Sequence, residues 1–392
     1  MKWTNKGHEL DKYGEELVQD FRSRGKKVLI FGAGLLGEEY RPFFERLGCF
    51  AGYIDNDKEK QESGVNGIRV ISLENYFHEG KSGIIMIAAD EKNIPAIESQ
   101  LRKAGLKEQK DFYTYREFMK TVYPVLSVYA YNQFYVEQAQ ICLTERCSLK
   151  CKACAHGCYA VDAGSQDMSL EMAKESADCF FEKVDLVKEF VLIGGEPFLY
   201  QKLDKIIAYI GEKYREKMIY FSITTNGTIM PNQKILELCR KYHVLIRISN
   251  YSAELKYLEK KYEKLKEELK RHGVSYRMSD SDSHWMDYGF ETLDRGGNEE
   301  ELIRVFDKCG TNCREIRGNR YYYCVMARSV SDNLGFGLGE DNYLDFKDVE
   351  DKKVLLEFEK GYSEKGYLDM CNHCNGADAV QHPIPVAEQL PR

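Results

Sequence analysis

No stretch of the chain holds the eighteen or so consecutive apolar residues of a membrane span, and the start, Met1-Lys-Trp-Thr-Asn-Lys6, has no apolar signal-peptide core. Neither a membrane partner nor export is therefore expected, and the predicted location is cytoplasmic. Positive charge is also in deficit. With 56 Lys and Arg against 63 Asp and Glu the net charge is −7, which gives no overall electrostatic footprint for nucleic acid. A disulfide pattern is missing too: the 13 cysteines are odd in number and clustered, which argues for metal ligation in a reducing compartment. What is present is a composition of 43% hydrophobic and 30% charged residues over 392 positions, that of a soluble globular protein with two to three domains.

The cysteines then direct the reading. Cys147-Ser-Leu-Lys-Cys151-Lys-Ala-Cys154 follows an apolar run, Ala139-Gln-Ile-Cys-Leu143, that reads as a short buried strand. Three thiols on one tight loop are three soft ligands for a cubane cluster whose fourth iron lacks a protein ligand. A zinc site would instead close a tetrahedron, and the nearby His156 and Cys158 are its candidate completing ligands. About forty residues on, Phe190-Val-Leu-Ile193 ends in Gly194-Gly195-Glu196-Pro197. Paired glycines at a strand end let a ligand approach the backbone, and the glutamate adds a fixed carboxylate.

Together these motifs resemble the radical S-adenosylmethionine superfamily, which pairs a Cys-x3-Cys-x2-Cys loop with a Gly-Gly-Glu-Pro strand end. The resemblance implies that Cys147, Cys151 and Cys154 hold a [4Fe–4S] cluster and are the catalytic centre. Gly194, Gly195 and Glu196 would hold the S-adenosylmethionine chelated to its open iron. The family usually has an aromatic residue just before the third cysteine; here it is Ala153, and Tyr159 is the candidate to fill the adenine space.

Ahead of this region, Lys27-Val-Leu-Ile-Phe31 runs into Gly32-Ala-Gly34-Leu-Leu-Gly37, and a second strand, Phe50-Ala-Gly-Tyr-Ile54, ends at Asp55. A third strand is expected at 83–88, and helices at 8–24, 32–47 and 93–104. Strand, glycine turn, helix, strand, acid is the order of a dinucleotide-binding fingerprint, with Asp55 where a ribose-binding carboxylate belongs. The length suffices for one mononucleotide-binding half. The segment also resembles small Rossmann-like domains attached to sugar-modifying and capsule-assembly proteins, in Tyr53-Ile-Asp-Asn-Asp57 and Gly67-Ile-Arg-Val70. NAD, a nucleotide sugar, or a packing role alone all remain open for Gly32, Gly34, Gly37 and Asp55. The aromatic stretch 112–135 reads as a connection between domains.

From 139 onward strands and helices alternate at βα spacing, which predicts parallel strands wound in a partial barrel with ligand chemistry at their C-terminal ends. On that rule Thr224, Asn226, Arg247 and Ser249 are further cosubstrate candidates, with ordinary strand-end turns as the alternative. The charged segment 254–271 carries Leu255, Leu258, Tyr262, Leu265 and Leu269 at helical spacing and reads as a solvated helix with one core stripe. The loop 279–291, with His284, Trp285, Asp287 and Tyr288, is either a substrate-pocket wall or an ordinary surface loop.

The C-terminal region adds Cys309, Cys313, Cys324 and Cys371-Asn-His-Cys374, one thiol more than a tetrahedral site needs. Structural zinc is one reading. The set also resembles the twitch extension, the single-cluster relative of the SPASM extension. That resemblance implies a second, auxiliary [4Fe–4S] cluster on Cys324, Cys371, Cys374 and either Cys309 or Cys313. Cys49, Cys142, Cys179 and Cys239 read as small core hydrophobes.

The expected architecture is therefore α/β: an N-terminal Rossmann-like half-domain over 1–120, a partial (β/α)6 radical SAM barrel over 135–300, and a small cysteine-rich iron–sulfur extension over 301–392. The implied function is cleavage of S-adenosylmethionine to a 5′-deoxyadenosyl radical. That radical would abstract hydrogen from a small-molecule substrate, a sugar or nucleotide sugar, leading to oxidation or epimerisation, with a reductant such as flavodoxin or ferredoxin. A peptide-modifying maturase of the SPASM type and a non-catalytic iron–sulfur or zinc module are the competing readings.

Overall fold

The computed structural model describes residues 1–80, 82–161, 167–281, 284–337 and 339–391. The chain divides into two compact units, Leu10–Gln133 and a second made of Met1–Glu9 with Phe134–Arg392.

In the first unit, β1 (Val28–Phe31), β2 (Phe50–Ile54), β3 (Val70–Ile71), β4 (Ile84–Ile87) and β5 (Phe112–Thr114) form one parallel sheet in the order β3-β2-β1-β4-β5. Every residue of β1 and β4 is buried, as befits central parallel strands covered on both faces. The order reverses between β1 and β4, so the sheet has a topological switch point beside the glycine turn. Two strands beyond the expected three are present, and with two and three residues they are too short to show a period. The helix Leu35–Arg46 starts at that turn. A Cβ on Gly32 would sit 2.2 Å from the Ala88 carbonyl oxygen, and one on Gly37 2.0 Å from that of Gly32, whereas one on Gly34 would meet open space.

The stretch 112–135 is not a plain connection. It supplies β5 and then the helix Tyr123–Tyr131, whose residues 123–128 are all buried within this unit. A helix covered on all sides has no polar face, so it lacks the amphipathic period that would have marked it.

In the second unit, β6 (Tyr135–Cys142), β7 (Leu186–Ile193), β8 (Met218–Thr225), β9 (Val244–Ile248) and β10 (Tyr276–Met278) lie parallel and in chain order. The helices Leu170–Lys183, Leu203–Tyr214, Gln233–Lys241 and Leu258–Arg271 connect them. The last buries Leu258, Tyr262, Leu265 and Leu269 of the expected stripe, whereas Leu255 precedes the helix and packs beside Leu149 and Cys151. β11 (His284–Met286) leaves this sheet, and β12 (Arg314–Arg317) returns to it, adding a sixth parallel strand beside β6. β13 (Arg320–Tyr322) and β14 (Tyr343–Asp345) extend that edge antiparallel. The cysteine-rich segment is thereby built onto the barrel sheet itself. Finally, β15 (Pro383–Pro385) pairs antiparallel with β11. The expected loop 279–291 thus contains a strand, and its residues 282–283 lie outside the described ones.

Candidate active site

The site begins where β6 and β7 run out together. Beyond the strands the ladder continues: Gly195 N–H donates to the Thr144 carbonyl at 2.8 Å and Glu196 N–H to that of Arg146 at 2.9 Å. A Cβ on Gly194 would lie 2.4 Å from the Thr144 oxygen, and one on Gly195 2.3 Å from the Arg146 oxygen and 2.9 Å from the Cys147 Cβ. The paired glycines therefore let the cysteine loop seat directly on the end of β7. This close approach of two backbones is a stricter demand than the ligand approach expected from sequence. Arg146 is braced by Asp167 at 2.8 Å and by the Leu199 carbonyl at 3.0 Å.

Glu196 is fully buried. Its carboxylate accepts from Thr225 Oγ1 at 2.9 Å to each oxygen, from Asn226 N–H at 2.9 Å and from Phe198 N–H at 3.1 Å. It therefore clamps the end of β7 to the end of β8. Burial pushes its pKa up to about 7, with these hydrogen bonds pulling the other way.

The three loop thiols lie within one another's electrostatic reach. Burial raises Cys147 to about 11 and Cys151 to about 12, whereas the Cys158 thiol donates to Cys154 and holds it down. Each sulfur has a donor in place. Leu149 N–H and Asn226 Nδ2 lie 3.5 Å from Cys147, and Gln389 Nε2 lies 3.1 Å from Cys151. Such donors favour the thiolate that metal ligation requires. Among the described residues no three His, Cys, Asp or Glu converge on one ion. His156 is half-buried with Nδ1 3.2 Å from Ser329 Oγ, and Cys158 is engaged with Cys154 and lies 3.8 Å from a Glu145 oxygen. Cys147, Cys151 and Cys154 supply the three soft donors that a cluster with one open iron needs. Ala153 adopts the left-handed conformation at φ +54°, and Tyr159 lies close enough to Cys154 to feel its charge.

The ends of the chain's last segment cover this loop. Lys152 N–H donates to the Glu388 carbonyl and Leu390 N–H to that of Lys150, both at 2.8 Å, and Ala387 packs with Leu149 and Cys151. Trp285 of β11 meets Tyr251 edge-on at 5.5 Å beside them. Trp285 therefore packs beside the cysteine loop, whereas His284 is exposed on the same strand. Gln389 had no signal in the sequence, because only the long-range pairing of β11 with β15 brings it there.

The C-terminal thiols separate into four and one. Cys309, Cys324, Cys371 and Cys374 lie within one another's electrostatic reach. Gly376 N–H points at Cys374 Sγ at 3.3 Å, and Arg295 donates to the carbonyls of Cys371 and Cys374 at 3.3 Å. Cys313 goes elsewhere. Its sulfur lies 3.8 Å from Gln138 Nε2 and in the field of Arg247 and Glu189. Cys309 thus lies with the other three C-terminal thiols, whereas Cys313 does not.

Of the further candidates, Asn226 joins the cysteine loop, donating also to Ser148 Oγ at 3.2 Å. Thr224, Arg247 and Ser249 instead line one cavity of about 310 Å³ with Glu189, Arg277 and Ser279. Glu189 and Arg277 were not singled out from sequence; the signal available was a charge at an inward position of an otherwise apolar strand. In the first unit, Gly32, Gly34, Gly37 and Asp55 do come together at the turn. There the Asp55 carboxylate accepts from Ala33 N–H at 2.8 Å and Asp57 N–H at 3.0 Å, and pairs with Lys60 at 3.1 Å. Burial would raise its pKa, but these partners outweigh it and hold it low.

Residues 141–312 match the model of the Radical SAM superfamily. The three-cysteine loop and the glycine-rich strand end on which it seats both lie within the matched residues, and the cofactors of that superfamily are a [4Fe–4S] cluster and S-adenosylmethionine. An uncharacterized protein of Methanocaldococcus jannaschii is 32% identical over 108 residues, covering 27% of this chain and 36% of that protein. A protein of Methanocella arvoryzae named "Probable GTP 3′,8-cyclase" is 35% identical over 95 residues, covering 24% and 28%. The chain thus spans about a third of the length of the curated relatives it matches. Among solved structures, BtrN in complex with AdoMet and 2-DOIA aligns at a TM-score of 0.38 and 16% identity over 66% of this chain and 98% of that one. Streptococcus suis SuiB bound to S-adenosylmethionine aligns at 0.30 and 20% identity over 47% and 44%.

Proposed function

We propose that this chain is an enzyme that cleaves S-adenosylmethionine reductively and abstracts a hydrogen atom from a small hydroxyl-bearing molecule, a sugar or nucleotide sugar. One observation carries the reading: a three-thiol loop locked onto the Gly194-Gly195-Glu196 turn, at the C-terminal ends of parallel strands, with a polar barrel interior beside it. Cys147, Cys151 and Cys154 would hold the cluster that binds the cosubstrate, and Cys309, Cys324, Cys371 and Cys374 an auxiliary one. Reduced by a donor such as flavodoxin or ferredoxin, the first cluster with S-adenosylmethionine supplies a 5′-deoxyadenosyl radical.

The chain's own residues position and protect. Asn226 and Gln389 direct N–H groups at the ligating sulfurs, and Trp285, Ala387 and the backbone of residues 388–390 pack against the loop. Thr224 and Ser249 offer hydroxyls to the bound molecules from the strand ends. In the first unit, the open space at Gly34 and the switch point between β1 and β4 support a nucleotide or nucleotide-sugar site.

After hydrogen abstraction, loss of one further electron and one proton from the hydroxyl-bearing carbon would give a carbonyl. An auxiliary cluster held by Cys309, Cys324, Cys371 and Cys374 would be the acceptor of that electron. A second reading, epimerisation, is favoured by the place of Cys313 beside Gln138, Arg247 and Glu189. Its thiol would return a hydrogen atom to the opposite face of the carbon and be restored by one electron and one proton from the external reductant. Turnover in deuterated water separates the two. A product two mass units lighter than substrate supports oxidation, and an isomer carrying one deuterium supports epimerisation. Neither product, with any sugar or nucleotide sugar offered, would overturn the substrate assignment.

A further inference from the structure

The barrel interior is charged where a packed core would be apolar. Strand register puts Gln138, Glu189, Tyr220, Arg247 and Arg277 on one face of the sheet. Ser222 Oγ donates to Glu189 at 2.8 Å, and Arg247 pairs with the other Glu189 oxygen at 3.1 Å. Arg277 stacks its guanidinium over Tyr220, 5.2 Å from the ring centre, and has no carboxylate partner among the described residues. Two guanidinium groups and one carboxylate thus line a cavity of about 310 Å³, which leaves one positive charge in excess there.

We propose that this cavity recognises an oxyanion on the substrate, a carboxylate or a phosphate, through Arg277 and Arg247, while Glu189 accepts a hydrogen bond from a neighbouring substrate hydroxyl. Arginine suits the task because its planar fork matches both anions bidentately. The inference rests on the barrel being the substrate site, as proposed above, and narrows the substrate to a negatively charged one.

Both arginines are rooted level with Thr224, one residue before the ends of β9 and β10, and reach back along the sheet to Glu189 and Tyr220. Tyr220 precedes Thr225 by five residues, and Glu189 precedes Gly194 by five. At about 3.3 Å per residue they lie roughly 16 Å from the strand ends that seat the cysteine loop. The cavity therefore runs from the hydroxyls of Thr224 and Ser249 towards the stacked Arg277. A substrate anchored there by its anion presents its other end to the loop.

The test is phosphate binding by the full-length, anaerobically reconstituted protein, followed by phosphorus NMR or calorimetry, with glucose 6-phosphate and glucose as further probes. Inorganic phosphate should bind in the millimolar range, glucose 6-phosphate more tightly and glucose at least about tenfold more weakly than its phosphate. R277Q should weaken both phosphate-bearing probes at least about tenfold, R277K less so, and the affinity for S-adenosylmethionine should stay within about twofold. Phosphate that fails to bind the wild type, or binds R277Q equally well, would overturn the inference, the latter marking a surface site. Weaker S-adenosylmethionine binding by R277Q would overturn it too, by assigning the arginine to the cosubstrate. The underlying reading fails separately, if the wild type forms no 5′-deoxyadenosine whatever phosphate does.

Discussion

Glu196 carries two consequences at the scale of single residues. Its carboxylate is the shared acceptor for a buried hydroxyl, the buried Asn226 N–H and the half-buried Phe198 N–H. Glu196→Ala strands those donors and should cost at least about 2 kcal/mol in a urea titration. Its raised pKa, about 7 against the ordinary 4.5, means that the folded state binds a proton the unfolded state releases. The favourable contribution is complete below the unfolded value and fades as pH rises through about 7. Glu196→Gln should remove that component, so urea midpoints compared between about pH 5 and pH 7.5 should fall less in the variant. Parallel curves would mean that the carboxylate titrates normally. The glycines beneath it are equally constrained. Gly195→Ala would drive a methyl into the Arg146 carbonyl at 2.3 Å, which should cost about 1–3 kcal/mol and lower iron occupancy at Cys147, Cys151 and Cys154. Among the C-terminal thiols the two alternatives now diverge. Cys309→Ala should lose about half of the roughly eight irons of a two-cluster protein, and Cys313→Ala should keep them all. Iron and sulfide assays decide, and equal losses from both would place Cys313 among the ligands. Tightly bound zinc with about four irons would make the C-terminal set a zinc site.

Elements differ in how much of them the sequence discloses. The strands β6 to β9 were legible because each is an apolar, β-branched run followed by an amphipathic helix. The glycine turn at Gly32 was legible for the same reason. β3 and β5, of two and three residues, carry no period, and the helix Tyr123–Tyr131 has no polar face to contrast with its buried one. The cysteine loop and its partner strand end were legible as motifs, yet the role of Gly194 and Gly195 was not, since the clash partners belong to residues 144–147 on another strand. Choosing between Cys309 and Cys313 needed the register of β12 on β6, Arg314 against Ala139, which carries the adjacent Cys313 to Gln138. Arg328 illustrates the same limit. From the helix after Cys324 it reaches Glu145, two residues before Cys147, and Glu315 of β12, joining the two cysteine segments through buried charges. The glycine turn of the first unit yields a prediction of its own. Gly34→Val, with open space at its Cβ, should leave thermal stability nearly unchanged and abolish nucleotide or nucleotide-sugar binding by the full chain. Gly37→Ala, 2.0 Å from the Gly32 carbonyl oxygen, should destabilise the unit. Calorimetry showing no such ligand bound to the wild type would leave the first unit a packing role.

At the scale of the whole molecule, the cysteine-rich segment shares its sheet with the barrel. β12 pairs with β6, the strand that leads into the cysteine loop, and residues 388–390 pair back onto that loop. Among the described residues no helix is long and apolar enough to cross a membrane. The two sets of thiols, the polar interior and the strap over the loop all presuppose one chemistry, and one measurement tests it most directly. Anaerobically reconstituted full-length protein, reduced with dithionite and given S-adenosylmethionine, should release 5′-deoxyadenosine and methionine in equal amounts, slowly without substrate. The Cys147→Ala/Cys151→Ala/Cys154→Ala variant should release neither. Release of S-adenosylhomocysteine alone, or no cleavage by a protein with its clusters intact, would contradict the account.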